Sequence, residues 1–475
     1  MAATGGRVFS GGTISYGGTG TLHAEGITVT AQGSGKAEVS AEGTTQSGSI
    51  SGRAEVNAGD GAISVTSGDD SSGRAVVEAR GGGFTPDALA AEVSANGISV
   101  ISYGADARVG ALAGDGLGAG PGGEIGGGSA RVSSSDGISV LTRGTVPATG
   151  EASVLAEGSG GISGTAGGRA EVSSGAGIDV SGAGSGGARV AATGGDAAGA
   201  EGGEASVRAS GSLTIQAGDS AAGVVARGGE SLSGANAGGA AAVTGDGILV
   251  TGSAADAKTA SLAIRGGASQ DGLGGSATLN STGSQGLKDV AVAARVGGAV
   301  VEIVAGEGDT GGDDWDGALL QAKNLAITAA GAGNALVQLE GGGGGLSGKG
   351  GEASVRLEGS LTVSGAEDAA GGSLLVAVTG ALPGAAADLS VKNNLTVAGG
   401  DAGASSDGGD AAVIGFTSVA LAEGRLEVRS GADFDGGVTH TGGATQFQVG
   451  ALKAREIELS KSGSGQFEFS ADALD

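Results

Sequence analysis

Apolar residues along this chain come in short alternating phrases, and one of them keeps returning. Gly-Ala-Ile-Ser-Val-Thr stands at 61–66, Asn-Gly-Ile-Ser-Val-Ile at 96–101 and Asp-Gly-Ile-Ser-Val-Leu at 136–141. Aligned on the second apolar residue of the phrase, the series runs Val29, Val65, Val100, Val140, Val180, Ile215, Val250, Val290, Ile327, Val363 and Val397, with a mean step of about 37 residues. Each period holds two further phrases, mostly Ala-x-Val, such as Ala37/Val39 with Ala54/Val56 and Ala152/Val154 with Ala170/Val172. An alternation of period 2 puts the apolar residues on one face and Glu, Arg or Ser on the other, which predicts strands. Helix needs apolar residues at i, i+3 and i+4, and glycine interrupts every such window.

Three strands per period, recurring at a fixed interval, predict an all-β fold. It is a right-handed parallel β-helix, or β-solenoid, of about 37 residues per coil and about 11–12 coils. A stack of sandwich domains is the alternative, but it gives no reason for corresponding strands to recur every coil. The inward column reads Ile27/Val29, Ile63/Val65, Ile98/Val100, Ile138/Val140 and onward to Leu395/Val397. One outward column reads Glu55, Glu92, Arg131, Glu171 and Ser206, with the Arg between acidic neighbours.

Both ends depart from the repeat. Three parts are expected: an N-terminal short coil or cap over 1–25, a repeat body over 26–430, and a C-terminal coil, cap or docking segment over 431–475. Phe447, Ile457 and Phe467 fall ten residues apart in cleanly alternating phrases, pointing to a shorter last coil with larger interior groups. A solenoid must close its ends. Val8, Phe9, Phe447, Phe467 and Phe469 are therefore candidates for a cap or for an assembly interface.

Composition sharpens this picture. Of 475 residues 108 are Gly, aromatics make up 2%, and the net charge is −26. So thin a supply of large side chains suits a narrow core. The charge argues against nucleic-acid binding and against an anionic membrane surface. Cysteine is absent, which excludes disulfides and thiolate metal sites. No apolar run is long enough for a membrane helix. The opening MAATGGRVFSGG carries no basic and apolar signal region, so export would use another signal, or the chain is a mature or partial segment.

The phrases GSLTIQAG (211–218), NLAITAAG (324–331), GSLTVSG (359–365) and NNLTVAGG (393–400) resemble the repeats of filamentous-haemagglutinin-type secreted β-helix proteins. Two-partner-secretion and autotransporter passengers belong with these. The resemblance spans about residues 20–430. The coil here is longer than that family's usual unit, and its Asn-Pro secretion motifs are missing. It implies an extracellular or bacterial cell-surface rod.

Catalytic patterns are weak. His23 and His440 lie near opposite ends, so no Ser-His-Asp set assembles. Gly343 and Gly348-Lys349 have phosphate-loop spacing, but Gly350 replaces the Ser or Thr. Outward Thr28, Thr214, Thr362 and Thr396 are too interrupted for a flat ice-binding face. The densest acidic loop, GEGDTGGDDWDGA (306–318), offers Asp309, Asp313, Asp314 and Asp316 to calcium, without EF-hand spacing. Asp401, Asp407 and Asp410 are a second acidic group. The expectation is a non-catalytic structural protein with no cofactor, calcium excepted. It would be a filament subunit or adhesin stalk that self-associates end to end or continues into a longer chain. An adhesin binding glycan or matrix through its loops is the alternative, and a polysaccharide-degrading enzyme comes third.

Overall fold

The computed structural model describes residues 2–4, 19–32, 35–43, 53–68, 73–81, 89–114, 127–143, 150–161, 164–184, 186–234, 236–252, 258–284, 286–294, 297–308, 317–329, 334–342, 352–365, 373–379, 387–398, 410–430, 433, 444–461 and 466–474. The fold is all-β, a parallel β-solenoid with three walls and coils of about 36 residues. The recurring Ile-x-Val phrase forms the first wall, a 13-stranded sheet from Ile27–Thr30 to Glu456–Ser460. After it the chain enters a second wall, as at Ala107–Leu112, and then a third, as at Ser129–Ser134.

Register follows side-chain chemistry. Ile138 pairs with Ile98 on one side and Ile178 on the other, and Val140 with Val100 and Val180. Inward residues stack on their own kind, because a slip of one residue would turn the apolar set out to water. The Glu55, Glu92, Arg131, Glu171, Ser206 column is in register across five coils. One step of the expected series is two residues off. Val250 pairs with Val292, and Val290 pairs with Ile248. Both valines point inward, so alternation alone does not choose between them. The coil is long because an antiparallel hairpin, Thr282–Gly283 against Gly286–Leu287, extends its corner.

The core changes along the rod. Early coils fill the second wall with Ala-x-Val-x-Ala, as in Ala75, Val77 and Ala79; later ones use Leu262/Ile264 and Val301/Ile303, all fully buried. Near the C-terminus the corner between the second and third walls is lost. The strand Asp410–Leu421 starts in the second wall, with Ala411 on Leu374, and ends in the third, with Ser418 on Asp388. It thereby joins the two walls into one 26-stranded hydrogen-bonded sheet. Gly415 makes the bend, with φ +87°. Phe416 and Phe447, both within 2% of full burial, occupy the interior there.

Glycine builds a second lattice. Between the second and third walls the chain makes an excursion, and in the coils from Gly158 to Gly306 the outgoing and returning limbs interleave. Their backbones form one run of hydrogen bonds: Gly195 N–H to Gly168 O, Gly203 to Gly195, Gly229 to Gly203, Gly239 to Gly229, Gly267 to Gly239, Gly275 to Gly267 and Gly306 to Gly275, at 2.7–2.8 Å. A Cβ on Gly203 would lie 2.1 Å from Gly168 O, and one on Gly239 would lie 2.0 Å from Gly203 O. These glycines have ordinary φ values, so what the lattice requires is the missing side chain. Outside the stack, Gly161, Ala197, Ser231 and Ser269 form a ladder of parallel bridges.

Candidate functional site

Large apolar side chains are exposed in the last described strands. Ile457 and Leu459 continue the first wall's inward column, paired with Leu426 and Val428, yet they are 37% and 45% exposed. Leu474, in the last strand Phe467–Leu474, is 63% exposed. Phe469 stacks on buried Phe447 with ring centroids 5.5 Å apart and planes 8° from parallel. Phe467 and Phe469 are half-buried against the core. At the other end Leu22, Ile27 and Val29 are only 4–7% exposed. Of the candidate assembly residues, Phe447, Phe467 and Phe469 thus gather in the last coils. Val8 and Phe9 lie outside the described residues.

Two shallow grooves run along the corner between the third and first walls. One, of about 510 Å³, is floored by Ser64, Ser99, Ser139, Asp179 and Thr214 and bordered by Gly97, Gly137 and Gly177. The other, of about 430 Å³, is lined by Asn57, Ser94, Ser133 and Ser173 with Arg131 at its side. Partial burial raises the carboxyl of Asp179 above its ordinary value. The ridge between the grooves is fastened from within. Ser134 Oγ donates to Asn96 O and Gly137 O, and Ser174 Oγ to Asp136 O and Gly177 O. Ser-Ser before a turn is the sequence signal for this clasp, and reading the phrase for its apolar residues alone passes over it.

Charge is organised as ladders. Arg53 bridges Glu55 and Glu92, while Arg131 and Arg169 flank Glu171. Arg425 joins Glu427 and Glu458 across the last coils. Glu78 is outward-facing yet 1% exposed, and Arg80 grips it with two hydrogen bonds of 2.7 and 3.2 Å. That grip holds the guanidinium above its ordinary value. Glu151 is shifted up by burial, with Asp106 adding to the effect against Arg189 and Arg108. Lys36 beside Glu38 lowers that carboxyl.

Most of the remaining candidates lie beyond what the structure describes. Asp309, Asp313, Asp314 and Asp316, and likewise Asp401, Asp407, His440 and the Gly343–Gly350 loop, fall outside the described residues. His23 is exposed on the third wall. Among the described residues no three His, Asp or Glu side chains are grouped to hold a metal ion.

The fold places the chain in the class of parallel β-solenoid repeat proteins. No family model, no curated protein and no solved structure matches it.

Proposed function

We propose that the chain is a non-catalytic structural rod that acts outside a bacterial cell, as the subunit of a surface filament or the stalk of a secreted adhesin. In this reading it is a protein of the filamentous-haemagglutinin or autotransporter-passenger kind. The observation that carries the proposal is the continuous parallel ladder itself, with thirteen first-wall strands from Ile27–Thr30 to Glu456–Ser460 stacked in one sheet. The strand backbones run across the rod, and their hydrogen bonds run along it, so each added coil is held by a complete rung of bonds. Negative-stain microscopy of the purified chain tests the reading. It predicts rods about 58 Å long, from twelve steps of strand spacing, and end-to-end multiples of them. Isolated particles at every concentration would overturn the filament form.

The grooves favour a second reading, an adhesin that binds a neutral glycan along the hydroxyl columns. A glycan array without a saturable hit counts against it. The calcium reading of Asp309, Asp313, Asp314 and Asp316 stands or falls with calorimetric titration of calcium into the chain.

A further inference from the structure

Asn96–Gly97 is the single Asn-Gly pair of the sequence. It makes the corner between the third-wall strand Leu89–Ala95 and the first-wall strand Ile98–Ser102. Asparagine is a thermolabile side chain, and in water it loses ammonia when the next peptide nitrogen attacks its amide carbon. The rate rises when that nitrogen gives up its proton readily, when the amide carbon is electrophilic and when the nitrogen is open to approach. The stacked coil supplies all three conditions here. Asn96 O, the carbonyl of the attacking peptide, accepts from Asp136 N–H at 2.6 Å and from Ser134 Oγ at 2.8 Å. Those donors stabilise the negative charge that the peptide carries once its nitrogen is deprotonated. Ser135 Oγ donates at 2.7 Å to Asn96 Oδ1, the oxygen on which charge develops during the attack. Among the described residues no acceptor holds the Gly97 N–H. A Cβ on Gly97 would meet nothing closer than Ala62 Cβ at 3.8 Å, and Asn96 is exposed to water. One coil on, Asp136 O likewise accepts from Ala176 N–H and Ser174 Oγ, both at 2.7 Å. There the side chain is a carboxylate, a poor electrophile when ionised, and Gly175 stands where Ser135 would be needed.

We propose that Asn96 is a self-modification site, at which the folded rod promotes its own deamidation through a succinimide. The Gly97 nitrogen loses its proton to solvent base and bonds to Asn96 Cγ. The bond from Cγ to the side-chain nitrogen then breaks, and that nitrogen takes up a proton and leaves as ammonia. Water opens the ring at either carbonyl, to give aspartate or isoaspartate. No oxidation or reduction is involved. Either product adds a carboxylate beside Asp136. Isoaspartate also adds one carbon to the main chain at a corner where Asn96 N–H reaches Gly61 O and Asn96 O receives Asp136 N–H. Its formation therefore loosens the stack at this coil.

The full chain is held in mildly alkaline buffer, and samples are cleaved with trypsin over time. Asn96 is the one asparagine of the tryptic fragment Gly81–Arg108, so mass spectrometry reads its conversion from amide to acid directly. The same fragment, free in the same buffer, reports the chemistry without the fold. The expected result is faster conversion in the folded chain than in the free fragment, with aspartate and isoaspartate forms resolved by chromatography. Ser135→Ala, with the parent's circular dichroism spectrum, is expected to slow the folded chain by about tenfold. That is less than such a donor is worth in a closed site, because this one is open to water. Conversion in the folded chain no faster than in the free fragment would overturn the proposal. So would an unchanged rate in Ser135→Ala, or an acid product free of isoaspartate, which marks direct hydrolysis.

Discussion

Side-chain size is the quantity this fold controls most tightly. The inward apolar pairs were legible in the sequence, because alternation and recurrence both mark them. The glycine lattice was not. Doublets at 167–168, 194–195, 202–203, 228–229, 238–239, 266–267 and 274–275 read as connections, since glycine is the ordinary residue of turns. Their use here is backbone contact between coils that are distant in sequence, which no local pattern reports. Gly239→Ala, whose Cβ would lie 2.0 Å from Gly203 O, is accordingly expected to cost about 3 kcal/mol, the upper end of the usual overpacking range. Gly137→Ala, whose Cβ would meet nothing closer than Gly177 O at 3.6 Å, is expected to be neutral or to stabilise by up to about 1 kcal/mol. Chemical denaturation of the two variants checks the contrast. Buried Glu78 was equally hidden, since its outward position predicts exposure. Arg80→Met removes the two hydrogen bonds that its carboxylate accepts and, with the arginine half exposed, is expected to lose about 1–3 kcal/mol in the same assay. The raised carboxyl of Glu151 makes a pH prediction. The folded chain holds this proton more tightly than the unfolded chain does. The stability it contributes is therefore present below the ordinary value of 4.5 and is lost as pH rises through the raised one. Glu151→Gln should match the parent in acid and exceed it at neutral pH, as read from paired melting curves.

The strand is the element that sequence reading recovers best, and the corner is the one it recovers least. Three strands per coil, the Ile-x-Val wall and the Glu–Arg column were all visible, because each is fixed by a two-residue alternation. The shift at Val290 arose at a corner, where the hairpin Thr282–Leu287 changes coil length without changing inward chemistry. The C-terminal clustering of phenylalanine pointed to larger interior groups. The reason became visible only with the strand Asp410–Leu421, which crosses from wall to wall and removes the excursion. In a stack each coil depends on its nearest neighbours. Phe447→Ala removes a fully buried ring and its 5.5 Å partner contact with Phe469. It is expected to cost about 3–5 kcal/mol, confined to the last coils. Hydrogen exchange should show Thr445–Lys453 and Phe467–Leu474 losing protection while Ile138–Thr142 keeps it.

For the whole molecule the central claim is geometric. Thirteen first-wall strands stack in one register, and the function proposed for the chain depends on that stack being a single stiff rod. The grooves and the charge ladders take their positions from it. Ser64 and Thr396 stand in the same outward column, nine register steps apart. Spin labels on Ser64→Cys/Thr396→Cys, introduced into a chain with no other thiol, measure that span by pulsed electron paramagnetic resonance. The account predicts one narrow distance near about 43 Å, nine times the strand spacing. A broad distribution, or one centred far below that length, would contradict it.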